Sequence, residues 1–417
     1  MTEWETSPRR GMDRRHFLQS AAGVVGGLGV GSIAGIVGTS IAGADDAPTV
    51  AAVPLFGQHQ AGVLQSRQTV VSFLAFDVTA TDRNALARLF QALAGRARVL
   101  TAGAVPNNLG ISAPPADSGL LGPTIVPDNL TITVGVGASL FDGRYGLAKR
   151  KPKHLRQMET FPNDNLNRTI CDGDLLIQLT ADHPDTLVHA MLDLTKNTRA
   201  WMQPRWRMDG GTPPPRPDGA PRNYLGFKDG IANPDVTDDA EMNRLVWVQP
   251  NTAGEPAWTA GGSYHVIRII RMLTEFWNRV GLTEQERMIG RRKDSGAPLI
   301  GGTEDAVFDY TNDGAGDGIP IDAHIRVANP RTPATDSSRI LRRGYNYDSG
   351  IDTNGNLEMG LLFSCFQQNL DRQFVAVQKR LADEPLVDYI SPIGGGYFFT
   401  LPGLTSAADW YARSLLA

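Results

Sequence analysis

The chain has 417 residues, of which 41% are hydrophobic and 20% charged, a balance that suits a globular protein and excludes a collagen-like or wholly disordered one. Its formal net charge is -4 and neither sign gathers into long runs, so a phosphate-backbone partner has no electrostatic footprint and nucleic-acid binding is set aside. Domains of about 100 to 200 residues are usual, so this length holds two domains or one duplicated unit.

Residues 1–44 read as a targeting segment. Arg14 and Arg15, followed by Phe17 and Leu18, open a weakly apolar stretch rich in glycine and alanine that ends at Ala42-Gly43-Ala44, a small-x-small cleavage pattern. This resembles a twin-arginine export signal. A membrane anchor is the rival, since residues 17–44 are long enough to span a bilayer, but the glycines and the scarcity of large side chains make insertion poor. That export route carries folded cargo, often with a cofactor in place, so a cofactor is expected. Cys171 and Cys365 are the only cysteines and form no CxxC or CxxCH motif, which leaves one bridge or, more simply, two separately buried thiols.

A β-rich run at 70–78 (VVSFLAFDV) precedes Thr81 and Asp82, which offer a cap for a helix whose Leu86, Leu89, Phe90 and Leu93 recur at helical spacing. Strands are expected at 130–135 and 174–180, then a helix from Pro184 with Leu187, Met191 and Leu194 on one face, then a strand over 201–208. Strand, helix, strand, strand, helix, strand is the order of a ferredoxin-like split βαβ domain. Residues 210–222 (GGTPPPRPDGAPR) hold five prolines and three glycines and sustain neither a helix nor a central strand. Beyond them the order recurs: strand 264–272, a helix through Phe276 and Trp277, strand 360–367, helix 370–381 and strand 396–401. The expectation is an α+β protein of duplicated ferredoxin-like (split βαβ) domains. Its parts are a leader at 1–44, an N-terminal domain at 45–212, a Pro-rich linker at 213–222 and a C-terminal domain at 223–417. The long connection 281–322 exceeds what a compact fold tolerates without purpose and is expected to build a site.

Six histidines lie beyond the leader: His59, His154, His183, His189, His265 and His324. His183 precedes a proline at an expected helix start, His154 sits among cations, and a surface role suffices for His189. His324 differs, lying in DAHIRVANPR (322–331) with cations following it. A neutral ring nitrogen there could face a metal while the arginines pair with anionic groups, although a hydrogen-bonded structural histidine is the simpler account of the residue alone. In GFKDGIANP (226–234) Asp229 stands beside Gly230, where backbone can approach a ligand and a carboxylate can shuttle a proton; a plain turn is the alternative. A calcium loop is a poorer reading, because Asp235, Asp238 and Asp239 lack EF-hand spacing. RILRRGYNYD (339–348) is a basic cluster that reads either as a solvated edge or as charge aimed at a reacting group.

Together these segments resemble the dye-decolorizing peroxidases, in the exported branch that includes the deferrochelatase/peroxidases of bacterial iron uptake. The resemblance is carried in order by GFKDGIANP, GGSYHVIRIIRM (261–272), ERMIGRRKDSGAPL (286–299), DAHIRVANPR, RILRRGYNY, GLLFSCFQQ (360–368) and PIGGGYFFTLPG (392–403). It implies a pair of ferredoxin-like folds with haem b held mainly by the second, His324 as the axial ligand on iron, Asp229 as the acid-base group, and Arg342, the first arginine of LRRGY, beside it. It further implies Asp388 as the carboxylate that accepts a hydrogen bond from the axial imidazole, Leu361 and Phe363 as walls on the peroxide side, and Arg326 and Arg331 as partners of the propionates. His265 departs from the pattern, where an aliphatic residue is expected; a strand residue facing solvent is the simpler account and a spare haem contact the other. Tyr345, Tyr347 and Trp277 are candidates for relaying electrons, with core packing the default for each.

The implied activity is a haem-dependent peroxidase that uses hydrogen peroxide to oxidise dyes, phenols or other one-electron donors. Carboxylates titrate near pH ~4 and imidazoles near ~6.5, so a carboxylate acid-base group predicts an acidic optimum. Haem-iron handling of the deferrochelatase kind, which releases iron and leaves porphyrin, uses the same ligands and is the main alternative; a partner in exported metal-centre maturation is the third. The expected partners are peroxide, small reducing substrates, the twin-arginine export machinery and iron- or copper-handling proteins, with a homo-oligomer left open. The expected location is periplasmic, cell-surface or extracellular.

Overall fold

A computed structural model describes residues 52–417, so the leader at 1–44 lies outside the described residues. In the N-terminal half, β1 (Val70–Val78), β2 (Thr131–Gly137), β3 (Leu175–Ala181) and β4 (Met202–Gly211) pair antiparallel in the order β4-β1-β3-β2. The helices α1 (Arg83–Ala102) and α2 (Pro184–Thr198) cover one face of this sheet. Asp82 caps the first of them, its carboxylate accepting from Ala85 N at 2.8 Å.

The C-terminal half holds β5 (Ser263–Met272), the two-residue β6 (Leu341–Arg342), β7 (Tyr345–Ile351), β8 (Leu357–Gln367) and β9 (Ile390–Thr400). Its main strands lie in the order β9-β5-β8-β7, the same arrangement as the first half, with β6 added beside β8. The strand β7 escapes the sequence patterning because only Tyr345 and Tyr347 alternate with polar residues before Asp348, Ser349 and Gly350, which read as a turn. The two sheets join where β2 meets β9 along residues 135–137 and where Gly211 of β4 meets Asn346 of β7, and the β5 to β8 pairing closes the circuit. Residues Val71, Phe73, Ala75, Ile267, Ile269, Tyr345, Tyr347, Leu362 and Phe398 fill the space between the sheets. Tyr345 and Tyr347 are thus core residues. Trp277 is as well, packed with Phe227 and Leu386 and donating from Nε1 to Leu225 O at 2.9 Å.

The two halves differ on their other faces. Across the first sheet α1 and α2 lie directly on the strands, burying Leu86, Leu89, Phe90, Leu93, Leu187 and Leu194, each side chain worth about 1.5–3 kcal/mol. Across the second sheet the helices are short: Thr274–Trp277, Leu282–Ile289, His324–Ala328, and a π turn Asp371–Val375 that runs into Ala376–Arg380. A cavity remains between them and the strands. Side chains alternate along a strand, so Ile267 and Ile269 enter the core between the sheets while Arg268, Ile270 and Met272 of the same strand line the cavity. Among the described residues no helix is long and apolar enough to cross a membrane, and Cys171 and Cys365 are both free and buried.

Two histidines depart from expectation. His189 is 1% exposed, not a surface residue, because the loop before β2 folds over α2 and brings Ser118 Oγ to 2.7 Å from its Nδ1. His265 faces neither solvent nor the cavity. It is 1% exposed between the sheets, stacked on Phe366 with ring centroids 4.0 Å apart, and its Nε2 lies 2.8 Å from Ser364 Oγ. Burial first, and the charge of Arg343 second, push its pKa down to about 3. The unfolded chain binds a proton here near pH ~6.5 whereas the folded chain does not, so this contribution to stability is complete above that pH and is lost as pH falls from there towards 3. His265→Gln keeps a donor for Ser364 and removes the titration. We expect thermal melting of this variant, followed by circular dichroism from pH 7 to 4, to lose stability less steeply than wild type; equal slopes would assign the acid sensitivity to other groups.

Candidate active site

The cavity encloses about 240 Å3. A second hollow of about 570 Å3 shares Ile231, Ala232, Arg291, Asn329, Arg331 and Arg339 with its wall. His324, Asp229, Arg342, Leu361, Phe363 and Arg331 all line the cavity, although they come from four separate stretches of chain.

His324 is the first residue of the helix His324–Ala328. Five residues cannot hold a helix on their own, because nucleation costs more than so few hydrogen bonds return. Two arginines anchor it instead. Arg380 donates to Val327 O at 3.1 Å and to Ala328 O at 2.9 Å, satisfying carbonyls at its end. Arg326 donates to Asp313 Oδ2 at 3.0 Å and to the carbonyls of Ile319 and Asp313, both at 2.6 Å. The imidazole Nδ1 lies 2.7 Å from Oε2 of Glu384, a residue only 4% exposed. A carboxylate only accepts, so Nδ1 carries the hydrogen and Nε2 keeps a free lone pair. The side chain is 30% accessible and lines the cavity. Burial disfavours its protonated form, but the Glu384 carboxylate outweighs this and raises the pKa above the ordinary value, with Arg342 lowering it and Asp229 raising it.

Asp229 lies in a loop whose Gly226 and Gly230 have φ of +87° and +96°, conformations that favour glycine. Its carboxylate Oδ1 accepts from Arg342 Nη1 at 3.0 Å. Strand alternation separates the two arginines of LRRGY. Arg342 turns into the cavity, while Arg343 turns away, buried, to donate to Gln65 O in the N-terminal half. Arg331, at φ +55°, stacks its guanidinium 4.0 Å from the Phe308 ring and donates to Phe308 O at 3.1 Å. Phe308 belongs to the long connection 281–322, which thereby reaches the rim of the site.

Two expectations are corrected. Asp388 is exposed and is not the imidazole's partner; Glu384, four residues earlier, is. The reason is local: Pro385 opens a short 3-10 turn, Pro385–Tyr389, that leaves Asp388 on the surface while Glu384 stays buried before it. Arg326 is not free for a ligand, since its guanidinium is spent on the 313–319 turn and stacks 4.7 Å from the Tyr310 ring. Arg291 was not singled out although it belongs to the GRRKD segment. It lines the cavity at 5% exposure, donates to the carbonyls of Gly296 at 2.6 Å and Glu304 at 2.9 Å, and has its pKa lowered by burial and then by Arg331 and Arg342. Among the described residues neither Arg291 nor Arg331 has a carboxylate partner, so this rim suits an anionic group. Arg268 and Lys228, also on the wall, are neutralised by Asp164 and Glu304.

Comparison with known proteins places this architecture. Family models described as Dyp-type peroxidase, N-terminal, and Dyp-type peroxidase, C-terminal, match residues 60–211 and 220–405. A deferrochelatase of Yersinia pestis is 47% identical over 403 residues, 96% of this chain and 92% of the relative. A DyP-type peroxidase from Cellulomonas bogoriensis superposes with a TM-score of 0.77 at 34% identity, covering 88% of this chain and 99% of that one. Ferric DtpA from Streptomyces lividans gives 0.79 at 33%, covering 88% and 98%. With both halves matched, and with two ferredoxin-like sheets of which the second carries the cavity under its short helices, the chain belongs to the Dyp-type peroxidase family, in its deferrochelatase branch.

Proposed function

We propose that the cavity holds haem b on His324 and that the protein handles haem iron in the manner its deferrochelatase relatives are named for, with a peroxidase activity built from the same residues. The observation that carries the reading is the meeting, in one cavity, of an imidazole with a free Nε2 and an Asp229 carboxylate held 3.0 Å from Arg342. The donor set fits a porphyrin. Among the described residues no cluster of three or more His, Cys, Asp or Glu side chains is placed to hold a metal ion, so iron bound here would take its other ligands from the group that carries it. The walls Leu361, Phe363, Ile270, Met272 and Leu386 suit an apolar ring, and Arg331 and Arg291 suit its carboxylates. The export signal read in the leader would place this chemistry outside the cytoplasm.

Bound haem would supply the redox-active iron at which peroxide is polarised and electrons are exchanged. The protein's share is proton handling and electrostatics. Asp229 accepts a proton from hydrogen peroxide and returns it to the oxygen that leaves as water. Arg342 offers fixed positive charge where negative charge develops as the O–O bond breaks. Glu384 holds the Nδ1 hydrogen, which keeps Nε2 basic and aims the ring.

The 47% identity to a deferrochelatase favours iron release as the main task, and the pairing of Asp229 with Arg342 favours peroxidase chemistry as the second reading. One experiment separates them. The purified full chain is incubated with haem, with and without peroxide, while porphyrin fluorescence and dye bleaching are followed together. Metal-free protoporphyrin appearing in step with chelatable iron supports haem-iron handling; dye loss with no porphyrin release assigns the chain to oxidation alone.

A further inference from the structure

The side chain of Asn233, which the proposed chemistry does not use, is committed to one peptide unit. Arg342 N donates to its Oδ1 at 2.9 Å, and its Nδ2 donates to Arg342 O at 2.8 Å. Matching a donor with an acceptor in both directions fixes the orientation of the amide. Arg342 lies on β6, a strand of two residues that pairs with Cys365 of β8. The amide of Asn233 therefore does for Arg342 what a neighbouring strand would do, bonding both polar groups of its backbone.

The same loop makes a second contact with the same residue. Asp229, four positions before Asn233, accepts from the Arg342 guanidinium at 3.0 Å. One loop thus holds Arg342 at its peptide and at its charged tip. The N-terminal half contributes from the next residues, with Arg67 Nη1 donating to Gly344 O at 2.8 Å and Arg343 donating to Gln65 O. An arginine side chain has four rotatable bonds, so its guanidinium can be placed reproducibly only if its Cα is fixed first. A displacement of about 1 Å at a reacting group costs as much as 100-fold in rate.

We infer that Asn233 is a positioning residue that sets the Arg342 guanidinium against Asp229. The inference rests on the proposed role of that pair in peroxide chemistry. Its rival is that Asn233 merely keeps the loop folded.

The test uses the full haem-loaded protein as wild type, Asn233→Ala, Asn233→Asp, Arg342→Ala and the double variant Asn233→Ala/Arg342→Ala. Five quantities are measured: haem absorption, thermal melting, KM for dye, the bimolecular rate with hydrogen peroxide, and the affinity of the ferric protein for cyanide by absorbance titration. Asn233→Ala is expected to keep its haem band and KM for dye, to lose about 10- to 100-fold in the peroxide rate, and to bind cyanide more weakly. Asn233→Asp, which still accepts from Arg342 N but cannot donate to Arg342 O, is expected to lose part of the rate, and it carries the test should Asn233→Ala fail to fold. In the Arg342→Ala background the Asn233 substitution is expected to add nothing, because it acts through Arg342. A full further loss in the double variant would overturn the inference in favour of loop folding, as would wild-type peroxide rate and cyanide affinity in both Asn233 variants. An Arg342→Ala protein with undiminished peroxide rate would instead remove the role proposed for the pair, and the inference with it.

Discussion

His324→Ala is expected to strip the protein of haem. Among the described residues His324 is the only histidine on the cavity wall, and its neighbours serve its placement: a five-residue helix anchored by Arg326 and Arg380, and a buried carboxylate fixing the ring. Loss of a group that merely hydrogen-bonds a metal ligand costs about 10- to 100-fold in affinity, so loss of the ligand itself is expected to cost more than about 100-fold. The apolar walls and the Arg291 and Arg331 rim remain, and residual low-affinity porphyrin binding is expected through them. The substitution also leaves Glu384 buried beside an empty space, and an uncompensated buried charge costs about 3–5 kcal/mol, so the variant apoprotein should melt lower than the wild-type apoprotein. Titration with haem, followed at the Soret band, measures the first effect and calorimetry the second. A Soret band of wild-type intensity and position in the variant would move the axial ligand elsewhere.

Asp229→Asn should leave haem binding nearly intact and depress kcat/KM for peroxide by about 100- to 10,000-fold, the range attributed to a positioned acid-base group. The replacement conserves shape, so the cavity is unchanged in size. It removes the proton acceptor and takes the carboxylate from the Arg342 guanidinium. Because the proposal assigns binding and proton transfer to different residues, the two variants should separate cleanly: one without haem, the other with haem but slow. Stopped-flow mixing with peroxide reads this directly, and a rate within a few-fold of wild type would exclude Asp229 as the acid-base group.

Much of the fold was legible because local periodicity carried it. The β-rich run at 70–78 and the helical spacing of Leu86, Leu89, Phe90 and Leu93 stand in the structure as β1 and α1, and α2 begins at Pro184. The second half was harder to read. Its helices are short and its strand β7 is polar at one end, since this half encloses a cavity rather than packing helices flat on a sheet. The resemblance to the peroxidase family implied a second ferredoxin-like fold there, but neither it nor periodicity marked β7 or the short helix at His324.

Chemistry followed the same division. The ordered motifs singled out His324, Asp229 and Arg342 only through the family resemblance they carry together, because by chemical class alone a structural histidine, a plain turn and a solvated basic edge were the simpler accounts. Which acid meets the imidazole was not recognisable, since Asp383, Glu384 and Asp388 lie within six residues and only the turn after Pro385 buries one and exposes another. The fate of Arg326, tied to Asp313, and of His265, enclosed between two sheets 99 residues apart in its pairing with Ser364, likewise depended on packing. A sequence states what each side chain can do and which face of its own element it takes. Which groups meet is settled by contacts between segments far apart in the chain, and those exist only once the two sheets have closed.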